Sequence, residues 1–200
     1  MEAAFHLAAG LGWAVVLAAL TVGLGFLYVW LRAGVPAFLT YRGTRVVTCP
    51  ENGNVTAVEV DARHAAATAF RRQPELRLAA CSRWPEKAGC GQECLRQIEA
   101  APEDCLVKTM LTRWYAGKIC SYCGKPFSMV HWHDHKPALL ALDGRTVEWS
   151  QVPPEQVPEA LDHDRPVCWN CHIAETFRRE HPDLVVDRPG RDSARHQPGV

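Results

Sequence analysis

The chain has 200 residues, room for one membrane span and one or two compact domains of about 100 to 150 residues, which excludes a large enzyme core. Lys plus Arg and Asp plus Glu number 22 each, so no net charge draws the chain toward nucleic acid, and no nucleic-acid partner is expected. The departure from ordinary composition is the nine cysteines, whose grouping as Cys81/Cys90/Cys94, Cys120/Cys123 and Cys168/Cys171 has the spacing of metal ligands.

Residues 1–9 read as a short N-terminal tail, and residues 10–31, GLGWAVVLAALTVGLGFLYVWL, carry no charge. At roughly 1.5 Å per residue this run crosses a hydrocarbon core of about 30 Å, which predicts one transmembrane helix seated in the lipid bilayer. Trp13 at one end and Tyr28 and Trp30 at the other suit the two interfaces. A cleaved signal peptide calls for a basic start and a shorter apolar stretch, whereas Glu2 and His6 precede this one. Arg32, Arg42 and Arg45 follow the span and no Lys or Arg precedes it. The positive-inside rule then predicts a single-pass protein of the inner or plasma membrane with its soluble part in the cytoplasm. Thiols stay reduced there, which favours metal ligation over disulfides, and the sequon Asn54-Val55-Thr56 has no use.

Residues 32–45 read as a juxtamembrane linker. An α+β Cys-rich subdomain follows over residues 46–117. In it Val46 to Cys49 and Val55 to Val60 are β-prone runs around the turn Pro50-Glu51-Asn52-Gly53. Asp61 is placed to cap a helix through about Arg72. Gln92 to Ala100 reads as a short helix, and Pro102 opens a longer one with Leu106, Met110, Leu111 and Trp114 on one face, ending at Gly117. Residues 118–188 form a second subdomain. Its hairpin pairs Leu139–Leu142 with Thr146–Trp149 around Asp143-Gly144. The Pro-rich segment 151–166 reads as a connecting loop that includes one helical turn, and Ile173 to Glu180 as a helix ended by Pro182. Residues 189–200 are polar and rich in Pro, Gly and Arg, the composition of a disordered tail.

The stronger metal signal is the pair Cys120-Ser-Tyr-Cys123-Gly124 and Cys168-Trp-Asn-Cys171. Gly124 supplies the positive φ that lets both sulfurs of the first pair face one ion, and a helix N-terminus stabilises thiolate in the second. The order of knuckle, hairpin and Cys-x-x-Cys on a first helical turn resembles the treble-clef zinc finger, related to zinc ribbons, over residues 118–181. The resemblance implies a structural zinc held by Cys120, Cys123, Cys168 and Cys171; the long insertion before Cys168 departs from it. Cys168-x-x-Cys171-His172 is also the pattern for covalent c-type haem, with His172 as axial ligand. Haem would orphan Cys120 and Cys123, so zinc is favoured, with His172 hydrogen-bonding a sulfur or replacing one ligand.

Cys49, Cys81, Cys90 and Cys94 offer four more thiolates, for a second zinc or an iron–sulfur cluster, and spacing alone does not choose. Cys105 lies on an apolar helix face and reads as core. His131, His133 and His135 alternate and so share one face of a strand, but no nucleophile or carboxylate triad accompanies them, and they read as a polar loop. No phosphate-binding glycine loop, nucleophile elbow, His-Glu-x-x-His or dinucleotide fingerprint is present, so the sequence supports no enzyme. As a whole the chain resembles membrane-anchored Cys-rich bacterial proteins, a resemblance that implies no activity. The sequence therefore predicts a membrane-tethered zinc adaptor, carrying one or two zinc ions, that meets a protein partner of unspecified identity. The alternatives are a membrane-anchored electron carrier with haem or an iron–sulfur cluster, and a thiol sensor that releases zinc on oxidation.

Overall fold

A computed structural model of the chain describes residues 2–71, 73–87, 89–127, 130, 132 and 136–185, with side chains before residue 15 described only at Trp13. His131, His133 and His135 and the expected tail over 189–200 lie outside the described residues. The chain divides into two compact units, Met1–Met110 and Leu111–Val200.

The first unit opens with helix α1, Glu2–Tyr41, whose 40 residues extend about 60 Å. Over Val15–Tyr41 it is long and apolar enough to cross a membrane. Residues 32–41, expected as linker, continue this helix through Pro36. Packing explains the continuation. The last turns lie against α2, Ala62–Thr68, with Gly34 and Ala37 buried, and a Cβ on Gly34 would stand 3.2 Å from the Ala66 carbonyl oxygen. Arg45 then closes the helix end. Its fully buried guanidinium donates to the carbonyls of Tyr41 at 2.7 Å and Gly43 at 3.0 Å, and to that of Thr40. These are carbonyls a helix C-terminus leaves without partners.

Strands β1, Thr44–Thr48, and β2, Val55–Val60, pair antiparallel as the turn residues predict, with Gly53 at φ +72°. Asp61 caps α2 by accepting from the His64 N–H at 2.9 Å. The helix stops at Thr68 rather than reaching Arg72. A third strand, β3, Leu78–Cys81, adds to β2. Short α3, Leu95–Ala100, lays Ile98 on a core of Val47, Val58, Val60, Leu78 and Cys94. Residues 102–105, expected as the start of a helix, form turns, so α4 spans Val107–Tyr115 and ends before Gly117, φ +75°.

In the second unit β4, Ala138–Leu140, and β5, Thr146–Glu148, form the expected hairpin, with Gly144 at φ +82°. The segment expected as a loop is ordered. It carries α5, Val157–His163, and β6, Arg165–Val167, which pairs with β4 to give the order β5–β4–β6. Proline opens these helical turns instead of breaking them: Pro154 and Pro158 occupy first-turn positions, where the missing N–H has no partner to lose. Helix α6, Trp169–Glu180, follows directly. Tyr115, fully buried, ties the layer together by donating to the Ala138 carbonyl at 2.6 Å and accepting from Trp149 Nε1 at 2.9 Å.

Candidate metal centre

Two arms bring four sulfurs together in the second unit. The first is a knuckle closed by a bridge between Ile119 and Pro126, with Cys120 N–H donating to the Lys125 carbonyl at 2.9 Å and Gly124 N–H to that of Cys120 at 2.9 Å. Gly124 sits at φ +67°, and a Cβ there would meet nothing within 4 Å, so backbone conformation and not space requires glycine. The second arm is the passage from β6 into α6, with Cys168 at the N-cap (φ −76°, ψ 157°) and Cys171 in the first turn.

Hydrogen bonds lock the arms in register. Ser121 donates to the Pro166 carbonyl through its N–H at 2.9 Å and its hydroxyl at 3.0 Å, and Cys168 N–H donates to Cys120 Sγ at 3.3 Å. The sulfurs of Cys120, Cys123, Cys168 and Cys171 all lie within 4.8 Å of one another, close enough to hold a metal ion. Cys123 and Cys168 are 3.7 Å apart. A tetrahedron of thiolates about 2.3 Å from a central ion has edges of about 3.8 Å, so the spacing fits mononuclear ligation. A donor set of sulfur alone selects soft or borderline metals.

The charge state of the set follows from its surroundings. Burial alone would push the Cys120 thiol up, but N–H groups of Cys123, Cys168 and Tyr122 outweigh it and bring it down to about 6. Burial pushes Cys168 up, and burial together with the neighbouring sulfurs pushes Cys171 up further. One thiolate is therefore held by the backbone, while the burial of Cys168 and Cys171 makes their ionisation favourable only beside a cation.

His172 does neither thing expected of it. It is buried, its Nδ1 lies 2.9 Å from Thr146 Oγ1 on β5, and its Nε2 is 3.6 Å from Glu148 Oε1. Both ring nitrogens thus face the hairpin, and the helix-to-sheet contact they make was not legible in the Cys-x-x-Cys-His pattern.

In the first unit the other candidates line one cavity, but their sulfurs are not drawn as close together as those of the second unit, the one set among the described residues that gathers within 4.8 Å. Cys49 follows β1, Cys81 ends β3, Cys90 lies in the loop after it and Cys94 precedes α3. All four line one small cavity. Burial pushes the Cys94 thiol up to about 11, with Cys90, Cys81 and Cys49 adding repulsion. Arg83 and Gln92, which no sequence signal singled out, donate to two of these sulfurs. Cys105 packs against the core of the same unit, 3.8 Å from the Gln97 carbonyl oxygen. No protein-family model, curated protein or solved structure matches the chain.

Proposed function

We propose that this chain is a membrane-anchored structural-zinc protein whose metal-held unit serves as an interaction module. The observation that carries the reading is the gathering of Cys120, Cys123, Cys168 and Cys171 within 4.8 Å by a knuckle and a helix start. With the hairpin between them, this order resembles a treble clef. Zinc suits four thiolates at tetrahedral spacing and does no redox chemistry, which matches a chain without catalytic motifs. The haem alternative is disfavoured because the His172 nitrogens are engaged by Thr146 and Glu148 and because Cys120 and Cys123 share the site.

Anchoring rests on α1. None of its most apolar stretch is buried within the chain, so its side chains require an apolar medium other than a protein core. The arginines that follow favour a cytoplasmic soluble part. An interaction role rests on Ile119 and Tyr122 of the knuckle and Ile173 and Phe177 of α6, which are exposed apolar side chains on the two arms that carry the sulfurs. Exposed apolar groups next to a rigid centre are what a protein partner covers.

Element analysis and an absorption spectrum of the full chain, purified in detergent without added metal, test the reading. A colourless protein with zinc that Cys123→Ser removes supports it. A Soret band, or wild-type protein free of zinc, refutes it.

A further inference from the structure

We infer that the first unit carries a second, independent metal centre in which Cys49, Cys81, Cys90 and Cys94 bind one thiophilic ion of the zinc class. The four come from separate stretches of chain that the fold brings around a single enclosed cavity. Cys49 is fixed at the neck of the β1–β2 turn, its N–H donating to the Asn54 carbonyl and its carbonyl accepting from Gly53 N–H, both at 2.8 Å. Cys81 is fixed by its pairing with Val58 in the sheet.

The cavity has a volume of about 20 Å³. A water needs roughly 10–15 Å³, so there is room for one atom-sized guest and none for a four-iron cluster. Its floor is Val47 and Val58, and among the described residues no carboxylate lines it, Glu51 and Glu93 lying on the adjoining pocket, so sulfur dominates the donor set. A larger open pocket of about 290 Å³ shares Cys49, Cys90, Cys94 and Lys87 with the cavity and gives an ion a route from solvent.

The groups around the sulfurs are those that thiolates require. Arg83 Nη1 donates to Cys49 Sγ at 2.9 Å, and Gln92 N–H donates to Cys90 Sγ at 3.2 Å. A dication surrounded by four thiolates keeps a net charge of −2, which such donors offset in part, since Arg83 and the neighbouring Lys87 also pair with Glu51. Gln92 adopts φ +56°, a region costly to a side-chain-bearing residue, while its Oε1 accepts from Leu78 N–H at 2.9 Å. That bond anchors the loop between Cys90 and Cys94 to β3. Cys49, Cys81 and Cys90 are only half-buried, unlike thiols that merely fill an apolar core.

This centre does not depend on the zinc reading of the second unit, and the test separates the two. Native mass spectrometry with element analysis of the full chain in detergent should give about two zinc ions in wild type, about one in Cys90→Ser, about one in Cys123→Ser and none in the double variant. Cys105→Ser, outside both sets, should keep about two. Zinc in wild type that Cys90→Ser leaves unchanged overturns the proposal, and so does iron with sulfide lost on Cys90→Ser. A measurement needing no variant is mass-mapped alkylation of wild type. Cys49, Cys81, Cys90 and Cys94 should be protected together and become reactive together on chelation. Equal labelling with and without chelator overturns the proposal even if Cys90→Ser fails to fold.

Discussion

Replacing His172 by Phe separates a metal-binding role for this residue from the structural one its contacts indicate. Phenylalanine keeps the ring and removes both nitrogens, leaving Thr146 Oγ1, 2.9 Å from Nδ1 in a buried position, without its partner. A stranded buried hydroxyl costs about 1–3 kcal/mol, and in a unit of this size each kcal/mol shifts melting by about 4–8 °C. With a central cost of about 2 kcal/mol, the midpoint should fall by about 8–16 °C while zinc stoichiometry is unchanged. Adding Thr146→Val removes the orphaned hydroxyl, so the double variant should recover part of the loss instead of summing the two single losses. The assay is near-ultraviolet circular dichroism on heating, paired with element analysis of the same samples. Zinc lost at a temperature where His172→Phe is still folded would make His172 a ligand, and strictly additive effects of the two substitutions would refute the hydrogen-bonded pair.

Tyr115→Phe should lower stability by about 2–4 kcal/mol, because it strands the Trp149 indole N–H and the Ala138 carbonyl at a fully buried position; a melting point within error of wild type would contradict this. Gly124→Ala should weaken zinc binding roughly 5- to 30-fold in chelator competition, the equivalent of about 1–2 kcal/mol for a left-handed alanine, since nothing crowds the added methyl. Gly144→Ala, at φ +82° on the hairpin turn, should lower stability without a comparable change in affinity. Asp61→Ala should remove about 1 kcal/mol of helix capping at neutral pH, measured as the stability difference from wild type. The His64 N–H and then Arg77 hold the Asp61 carboxyl below its usual range. A carboxyl depressed on folding stabilises above its unfolded value of about 3.9, and this is lost as pH falls through the lower folded value, so the difference should vanish in that acid window.

Both hairpins were legible because their turns need special backbone: Gly53 and Gly144 adopt positive φ where Asn-Gly and Asp-Gly announce it. The cap at Asp61 was legible for a similarly local reason. Strand β3 was not. Leu78-Ala79-Ala80-Cys81 favours helix by composition, and pairing with β2 overrides that preference. The helical turns and strand before Cys168 are hidden in the sequence because proline marks a break and a first turn alike, and Pro154 and Pro158 each stand in a first turn. The extension of α1 to Tyr41 depends on the close approach of Gly34 to α2 and on Arg45, a residue the sequence offered only as a charge next to the membrane. At the site, the spacing of Cys120, Cys123, Cys168 and Cys171 sufficed to identify the group, since a Cys-x-x-Cys loop is a local geometry. The environment of His172 was hidden because it depends on which residues of β5 face α6.

The sulfurs of the second unit are continuous with its core. Cys120 belongs to the same buried cluster as Ala138, Leu140 and Val167, with Phe127, Cys168 and Cys171 packed against it. Strands β4, β5 and β6 have three residues each, shorter than the usual 5–6 or so, and they supply few ladder hydrogen bonds. A layer this small gains little from apolar burial alone, whereas structural zinc contributes on the order of 10–16 kcal/mol of apparent binding free energy. The burial that makes anionic Cys168 and Cys171 unfavourable without a cation also strengthens their bonds to one. With the proposed ion bound, the affinity of the site and the stability of the unit would become one quantity, because separating the knuckle from the start of α6 opens the core and the cysteine set together.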